Sequence, residues 1–241
     1  MNEQTLSGQV ALVTGGGQGI GLAMAKALAA RGARVAVTGR RMATLGPAAA
    51  GLGTSGTAVQ MDVRDDDAVR QAVAQVVEWG GRLDILVNNA GIGVLETPIL
   101  ETTPEVFRDV METNLTGSFV VTQAAWPHLV ASRGQILNVS SIAGTMGYAG
   151  ASAYCSSKWA MNGLTLVLKE EGKVHGIRAF ALCPGAIDTD IWTDTWADKD
   201  VREKMISPGQ LADLAMSMLE APRNIELPNP WIVTNAVSPW V

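Results

Sequence analysis

Thr14-Gly15-Gly16-Gly17-Gln18-Gly19-Ile20-Gly21 is where the chain turns from its first apolar run into its first helical one. Residues 9–13 ahead of it are short and apolar, as a buried strand would be. Residues 20–31 behind it carry Ala, Leu, Met and Lys, all good helix formers, and Gly32 suits a helix stop. Glycines 15, 19 and 21 follow G-x-x-x-G-x-G rather than the commoner G-x-G-x-x-G. The physical requirement is the same. The turn must be tight, a pyrophosphate must approach the backbone closely, and the helix N-terminus must face the anion. A lone glycine turn is weak evidence for such a site, but a strand before it and a helix after it give the required setting.

Moving outward, the strand-then-helix alternation continues. Strands are predicted at 34–38, 58–61, 83–87, 135–139, 177–182 and 231–235. Helices are predicted at 42–53 (interrupted by Gly46-Pro47), 65–79, 104–130, 152–171 and from Ser207 through about 219. Ser207-Pro208-Gly209-Gln210 reads as a capping box with proline at the first helical position. The pattern implies an α/β fold: one Rossmann-like, doubly wound parallel sheet with helices on both faces. At 241 residues and 47% hydrophobic, with no Pro/Ser-rich linker, residues 1–241 are expected to form a single domain.

Net charge of -5 argues against nucleic-acid binding. No apolar run approaches a membrane span of roughly 18 residues, and residues 1–7 have no signal-peptide core. Cys155 and Cys183 form no C-x-x-C pair, which suits a reduced, cytoplasmic protein. His128 and His175 form no ligand cluster with the cysteines, so no metal is expected.

Two further features carry chemistry. Tyr154 and Lys158 stand four apart on a predicted helix and so share a face. A phenol has a reference pKa of about 10, and a neighbouring cation lowers it, which would make the pair a tuned acid/base. The second strand ends in Thr38-Gly39-Arg40-Arg41. NAD sites place a carboxylate there for the ribose 2′-hydroxyl, whereas guanidiniums suit a 2′-phosphate. The expected cofactor is therefore NADP(H), with Arg40 and Arg41 at the phosphate.

With Asp62-Val63, Asn88-Asn89-Ala90-Gly91, Asn114, Ser140-Ser141 and Pro184-Gly185 with Thr189 in order along the chain, the sequence resembles the short-chain dehydrogenase/reductase family from Leu6 to about Leu219. The resemblance implies roles residue by residue. Gly15, Gly17, Gln18, Gly19, Ile20 and Gly21 would cradle the pyrophosphate. Asp62 would accept from the adenine amino group, with the Val63 backbone beside it. Asn88, Ala90 and Gly91 would stabilise the fourth strand and line the adenosine ribose. Pro184, Gly185, Ile187 and Thr189 would hold the nicotinamide carboxamide. Ser141, 13 residues before Tyr154, would be the catalytic serine. Lys158 would bond the nicotinamide ribose, and Asn114 would interrupt its helix and hold a water leading from Lys158 to solvent. The implied reaction is carbonyl reduction or its reverse, with Tyr154 as proton donor.

Substrate contacts are expected from the loops 93–95, 142–150 and 188–206, the last an apolar lid carrying Ile191, Trp192, Trp196 and Met205. Tryptophans of this kind equally suit a subunit interface. Ala143-Gly144-Thr145-Met146-Gly147 resembles the corresponding stretch of 3-oxoacyl-carrier-protein reductases. Against that, the carrier-docking regions read Ala131-Ser132-Arg133 and Lys173-Val174-His175, only modestly basic. The family's usual Val-Asp-Gly-Gly near the end is replaced by Leu227-Pro228-Asn229-Pro230-Trp231. Relatives pair subunits through the helices corresponding to 104–130 and 152–171, implying a homodimer or homotetramer. The leading expectation is an NADPH-dependent ketone or 3-oxoacyl reductase. The alternatives are an alcohol dehydrogenase working in the oxidising direction and a non-catalytic NADP-binding sensor.

Overall fold

The computed structural model describes residues 5–189 and 202–234. Seven strands form one parallel sheet: β1 (Val10–Thr14), β2 (Arg34–Gly39), β3 (Gly56–Gln60), β4 (Ile85–Asn88), β5 (Gln135–Val139), β6 (Arg178–Pro184) and β7 (Trp231–Val233). Their order across the sheet is β3-β2-β1-β4-β5-β6-β7. Chain order reverses between β1 and β4, and in such sheets ligands bind outside the carboxyl ends of the strands at that point. Among the described residues seven α-helices accompany them: α1 (Gly19–Ala30), α2 (Met42–Ala50), α3 (Asp66–Gly80), α4 (Pro104–Met111), α5 (Gly117–Ser132), α6 (Ser152–Lys173) and α7 (Pro208–Glu220). No helix among the described residues is long and apolar enough to cross a membrane.

Side chains alternate across a strand, so each central strand feeds two cores. Ala11, Val13, Ile85, Val87, Leu137 and Val139 pack with Met24, Leu28 and the Leu211, Met216 and Leu219 side chains of α1 and α7. Val10, Leu12, Leu86 and Ile136 face Val69, Val73 and Val76 of α3 and Val121, Ala125 and Leu129 of α5. α3 shows why such a helix forms here. The Asp65 carboxylate accepts from the Asp67 and Ala68 N–H groups at 3.0 Å, and Gly81 closes the helix at φ 78°. The Ser207–Gln210 capping box opens α7.

One reading changes, the expected break at Asn114 takes a definite form, and part of a third lies outside the described residues. Gly46-Pro47 does not interrupt the second helix: α2 runs through Pro47, because Leu45, Ala48 and Ala49 are buried in the core beneath it. The long helical stretch after 104 is divided by one π-helical turn, Glu112–Thr116, at Asn114. Ile191, Trp192, Trp196 and Asn235 lie outside the described residues; of the expected lid, Met205 is buried and Ile206 donates its N–H to the Ala186 carbonyl.

Candidate active site

A cleft of about 680 Å³ opens along the carboxyl edge of the sheet. It is walled by the segments that leave β1 (15, 17–20), β2 (38–41), β3 (61–64), β4 (89–96), β5 (139–143) and β6 (184–189), and by Tyr154 and Lys158 of α6. The turn at its centre is built for close approach. Gly15 has φ 63°, in the left-handed region. A Cβ on Gly21 would stand 2.4 Å from the Gly15 carbonyl oxygen and 2.5 Å from Asn89 Nδ2. Asn89 Nδ2 donates to the Thr14 carbonyl at 2.9 Å, clamping the turn to the end of β4. Side chains cap α3, α4 and α7, but none caps α1, and its first turn holds no acidic residue. The first-turn amides and the positive end of the dipole thus face the cleft, a setting that fits a pyrophosphate.

At the end of the cleft formed by β5 and α6, Tyr154 is half-buried and Ser141 and Lys158 are buried. Ser141 Oγ accepts from the Ala143 N–H at 3.1 Å and its hydroxyl is in hydrogen-bond contact with the Tyr154 phenol, so the two hydroxyls converge. Lys158 Nζ donates to the Val139 carbonyl at 2.9 Å and lies 5.6 Å from the centre of the Tyr154 ring. Burial pushes the Lys158 ammonium down to about 8, partly opposed by Cys183. Burial also raises the Tyr154 phenol above its ordinary value, the Ser141 hydrogen bond pulling the other way. The sequence reading had the cation lowering the phenol. In the folded chain desolvation sets the direction for both groups, raising the phenol and lowering the ammonium.

Asn114 lies within the fold at the back of the cleft, fully buried. Its Oδ1 accepts from the Ile92 N–H at 2.8 Å, and its Nδ2 donates to the Ile92 carbonyl at 2.9 Å and to Ser157 Oγ at 3.0 Å. Ser157 in turn donates to the Tyr154 carbonyl at 2.8 Å, so Asn114 braces the helix turn that presents Tyr154. Ser140, whose hydroxyl donates to the Lys158 carbonyl at 3.2 Å, ties β5 to that same turn.

At the opposite end, Arg40 and Arg41 are exposed on the cleft wall. Arg41 donates to Gln18 Oε1 at 3.1 Å, linking the end of β2 to the glycine turn. Asp62 and Glu96 are the carboxylates on the wall among the described residues, and Asp62 is gripped by Arg64. Arg64 Nη2 donates to Asp62 Oδ2 at 2.8 Å, Nε to Oδ1 at 3.2 Å, and the Arg64 backbone N–H to Oδ1 at 3.0 Å. Arg64 escaped the sequence reading, although it directly follows Asp62-Val63.

The cleft therefore gathers Gly15, Gly17, Gln18, Gly19, Ile20, Arg40, Arg41, Asp62, Val63, Ala90, Gly91, Ser141, Tyr154, Lys158, Pro184, Gly185, Ile187 and Thr189. Gly21, Asn88 and the fully buried Asn114 are not on its wall. Gly21 packs against the turn, as its blocked Cβ position shows. Asn88 is buried inside the sheet, where its Nδ2 donates to Thr122 Oγ1 at 2.9 Å and Asn138 Oδ1 at 2.8 Å. Asn138 continues to Thr165 Oγ1 at 2.8 Å, a polar rivet joining β4, β5, α5 and α6. That position fits a strand-stabilising role, while Ala90 and Gly91 line the cleft. Leu95, Ala143 and Tyr148, from two of the loops expected to meet substrate, form a small apolar cluster beside Tyr154 with Cys155, which lay outside those expectations.

The short chain dehydrogenase family profile matches residues 9–200. An uncharacterized oxidoreductase of Bacillus subtilis is 39% identical over 194 residues, covering 79% of this chain and 75% of that one. Gluconate 5-dehydrogenase of Gluconobacter oxydans is 37% identical, covering 81% and 78%. The crystal structure of a 3-ketoacyl-(acyl-carrier-protein) reductase from Brucella melitensis complexed with NADH superposes with a TM-score of 0.89 at 29% identity, over 96% of this chain and 98% of that one. A nicotinamide cofactor is what this family uses, and the cleft's uncapped helix end and glycine cradle fit one. The chain belongs to the short chain dehydrogenase family and is an oxidoreductase acting on CH–OH or C=O groups.

Proposed function

We propose that this protein is an NADPH-dependent reductase of a ketone, with 3-oxoacyl compounds among the candidates, and that residues 1–241 work as one domain. The observation that carries the cofactor choice is the pair of exposed guanidiniums, Arg40 and Arg41, on a wall whose nearest carboxylate, Asp62, is already engaged by Arg64. A 2′-phosphate meets attraction there, and a bare ribose finds no free carboxylate.

The bound nicotinamide supplies the hydride. The chain supplies position and protons. The α1 N-terminus and glycine turn hold the pyrophosphate, and Pro184, Gly185, Ile187 and Thr189 border the ring. The Ser141 and Tyr154 hydroxyls donate to the substrate oxygen, where alkoxide charge develops. Tyr154 gives up its proton to that oxygen. Lys158, titrating near 8, is placed behind Tyr154 to return it. Asn114 holds Tyr154's helix turn in register and stands at the start of the route to solvent. Leu95, Ala143 and Tyr148 line the cleft beside Tyr154 and would face the substrate, with Cys155 packed behind them.

Exposed Phe107, Phe119, Trp159, Leu166 and Val167 on α4, α5 and α6 support a dimer or tetramer through those helices. Two buried free cysteines suit a reducing compartment such as the cytoplasm. Likeness to a gluconate 5-dehydrogenase favours a second reading, oxidation of an alcohol, through the same residues.

The test is binding of NADPH and NADH to purified protein side by side, followed by ketone and 3-oxoacyl thioester reduction. NADPH preference that is lost in Arg40→Ala, by roughly tenfold or more for a charge-assisted phosphate contact, supports the reading. Equal affinity for both cofactors sinks it. Tyr154→Phe should lose turnover and keep cofactor binding; retained turnover would remove Tyr154 as proton donor.

A further inference from the structure

Asp62 stands two residues past β3, and Arg40 one residue past β2. Gly39 and Gln60 are paired in the parallel ladder, Met61 donates its N–H to the Gly39 carbonyl, and Gln60 Nε2 donates to the Arg40 carbonyl at 2.9 Å. Neighbouring strands run about 4.8 Å apart. The register thus brings the Asp62 carboxylate beside the guanidinium proposed for the 2′-phosphate. A carboxylate there would repel a phosphate dianion. Its carboxyl is held below the usual range by the Arg64 hydrogen bonds first and by the charges of Arg64 and Arg40, so it is ionised at neutral pH. What offsets it is Arg64, which grips both oxygens and reaches Asp109 Oδ1 at 3.4 Å with its remaining arm.

We propose that Arg64 is a positioning residue for cofactor choice: by neutralising Asp62 it keeps the adenosine end of the cleft open to a 2′-phosphate. Arg40, Arg41 and Arg64 stand against Asp62 and Asp109. Three guanidiniums against two carboxylates leave a positive balance; without Arg64 the balance is zero and Asp62 is unscreened. The proposal rests on the NADPH reading above and adds to it a residue that need not touch the phosphate.

The experiment is a set of dissociation constants for NADPH and NADH, repeated with adenosine 2′,5′-bisphosphate and 5′-AMP so that only the adenosine end is probed. The proteins are wild type, Arg40→Ala, Arg64→Ala, Asp62→Asn and the double variant Asp62→Asn/Arg64→Ala. Arg64→Ala should cut the NADPH:NADH affinity ratio by roughly tenfold, as expected for one unpaired charge near another at partial exposure. The double variant should recover most of that ratio, because the carboxylate that Arg64 neutralised is gone. Asp62→Asn alone, which frees Arg64, should raise the ratio. Equal losses for both cofactors in Arg64→Ala would make Arg64 a structural residue and overturn the proposal. A lowered ratio that the double variant fails to restore would overturn it too, assigning Arg64 a direct phosphate contact. If Arg40→Ala abolishes the preference while Arg64→Ala leaves it intact, the NADPH reading stands and this proposal falls. If wild type shows no preference, both fall, and the wild-type ratio alone identifies that case.

Discussion

Lys158 is a buried cation whose pKa of about 8 lies well below the ordinary lysine value of 10.5. Between those values the unfolded chain binds a proton that the folded chain has released, so stability gains from this group as pH rises from about 8 toward 10.5. Below about 8 the folded protein bears the full desolvation cost. The expected outcome is that Lys158→Met gains on wild type in melting temperature near pH 7 and that this margin shrinks above pH 8. A margin that is flat with pH would mean Lys158 is not desolvated as the structure places it. Turnover of wild type should carry an ionisation near the same value. At this scale the order of motifs brought the expected side chains to one place. Ser141, Tyr154 and Lys158 meet on one wall, and what the spacing of Tyr154 and Lys158 could not convey was how deeply each is buried. Burial depends on neighbours from β5 and β6, more than ten residues away in sequence, and it reverses the expected direction for the phenol. Arg64 was missed for a related reason: its importance comes from register with β2, not from its own motif.

Elements followed their local signals wherever caps and apolar periodicity agreed. α3 is the clearest case, with Asp65 before it, Gly81 after it, and Val69, Ala72, Val73 and Val76 on one face. Asp65→Ala should cost about 1 kcal/mol, the usual worth of an N-cap. For a chain of this size that is roughly 2–4 °C in melting temperature. Thermal unfolding by circular dichroism would show it, and an unchanged midpoint would mean the cap is redundant. Where local signals conflicted with packing, packing won. Pro47 removes one backbone donor inside α2, yet Leu45, Ala48 and Ala49 keep the helix whole by burial. The π turn at Glu112–Thr116 is the opposite case, since nothing in its local sequence demands an extra residue per turn. It exists where the Asn114 amide can bond the Ile92 backbone and Ser157, partners on two other segments.

Across the whole molecule, two cores on opposite faces of one sheet leave an edge where the strand ends and helix N-termini collect, and the cleft lies there. Apolar side chains stand exposed on α5 and α6, with Phe119 46%, Trp159 53% and Leu166 47% exposed. If those helices pair subunits, Phe119→Asp with Trp159→Asp should reduce the mass found by sedimentation to that of one chain while keeping the fold. A wild-type protein that sediments as a monomer would end the idea. Single replacements should act more weakly, because interface energy of this kind concentrates in a few central aromatics.

Sequence alone was sufficient for the α/β alternation, the parallel sheet and the glycine turn. Those depend on short-range rules: side-chain period, capping, and a backbone that must admit an anion. Tertiary structure decided that Asn88 rivets the sheet instead of lining the cleft, that Gly21 serves packing, that Pro47 is tolerated, and that Asp62 carries a guanidinium of its own. Each of these turns on which side chains from distant segments come within hydrogen-bond or van der Waals reach. That is set by strand order and register, which no local pattern encodes.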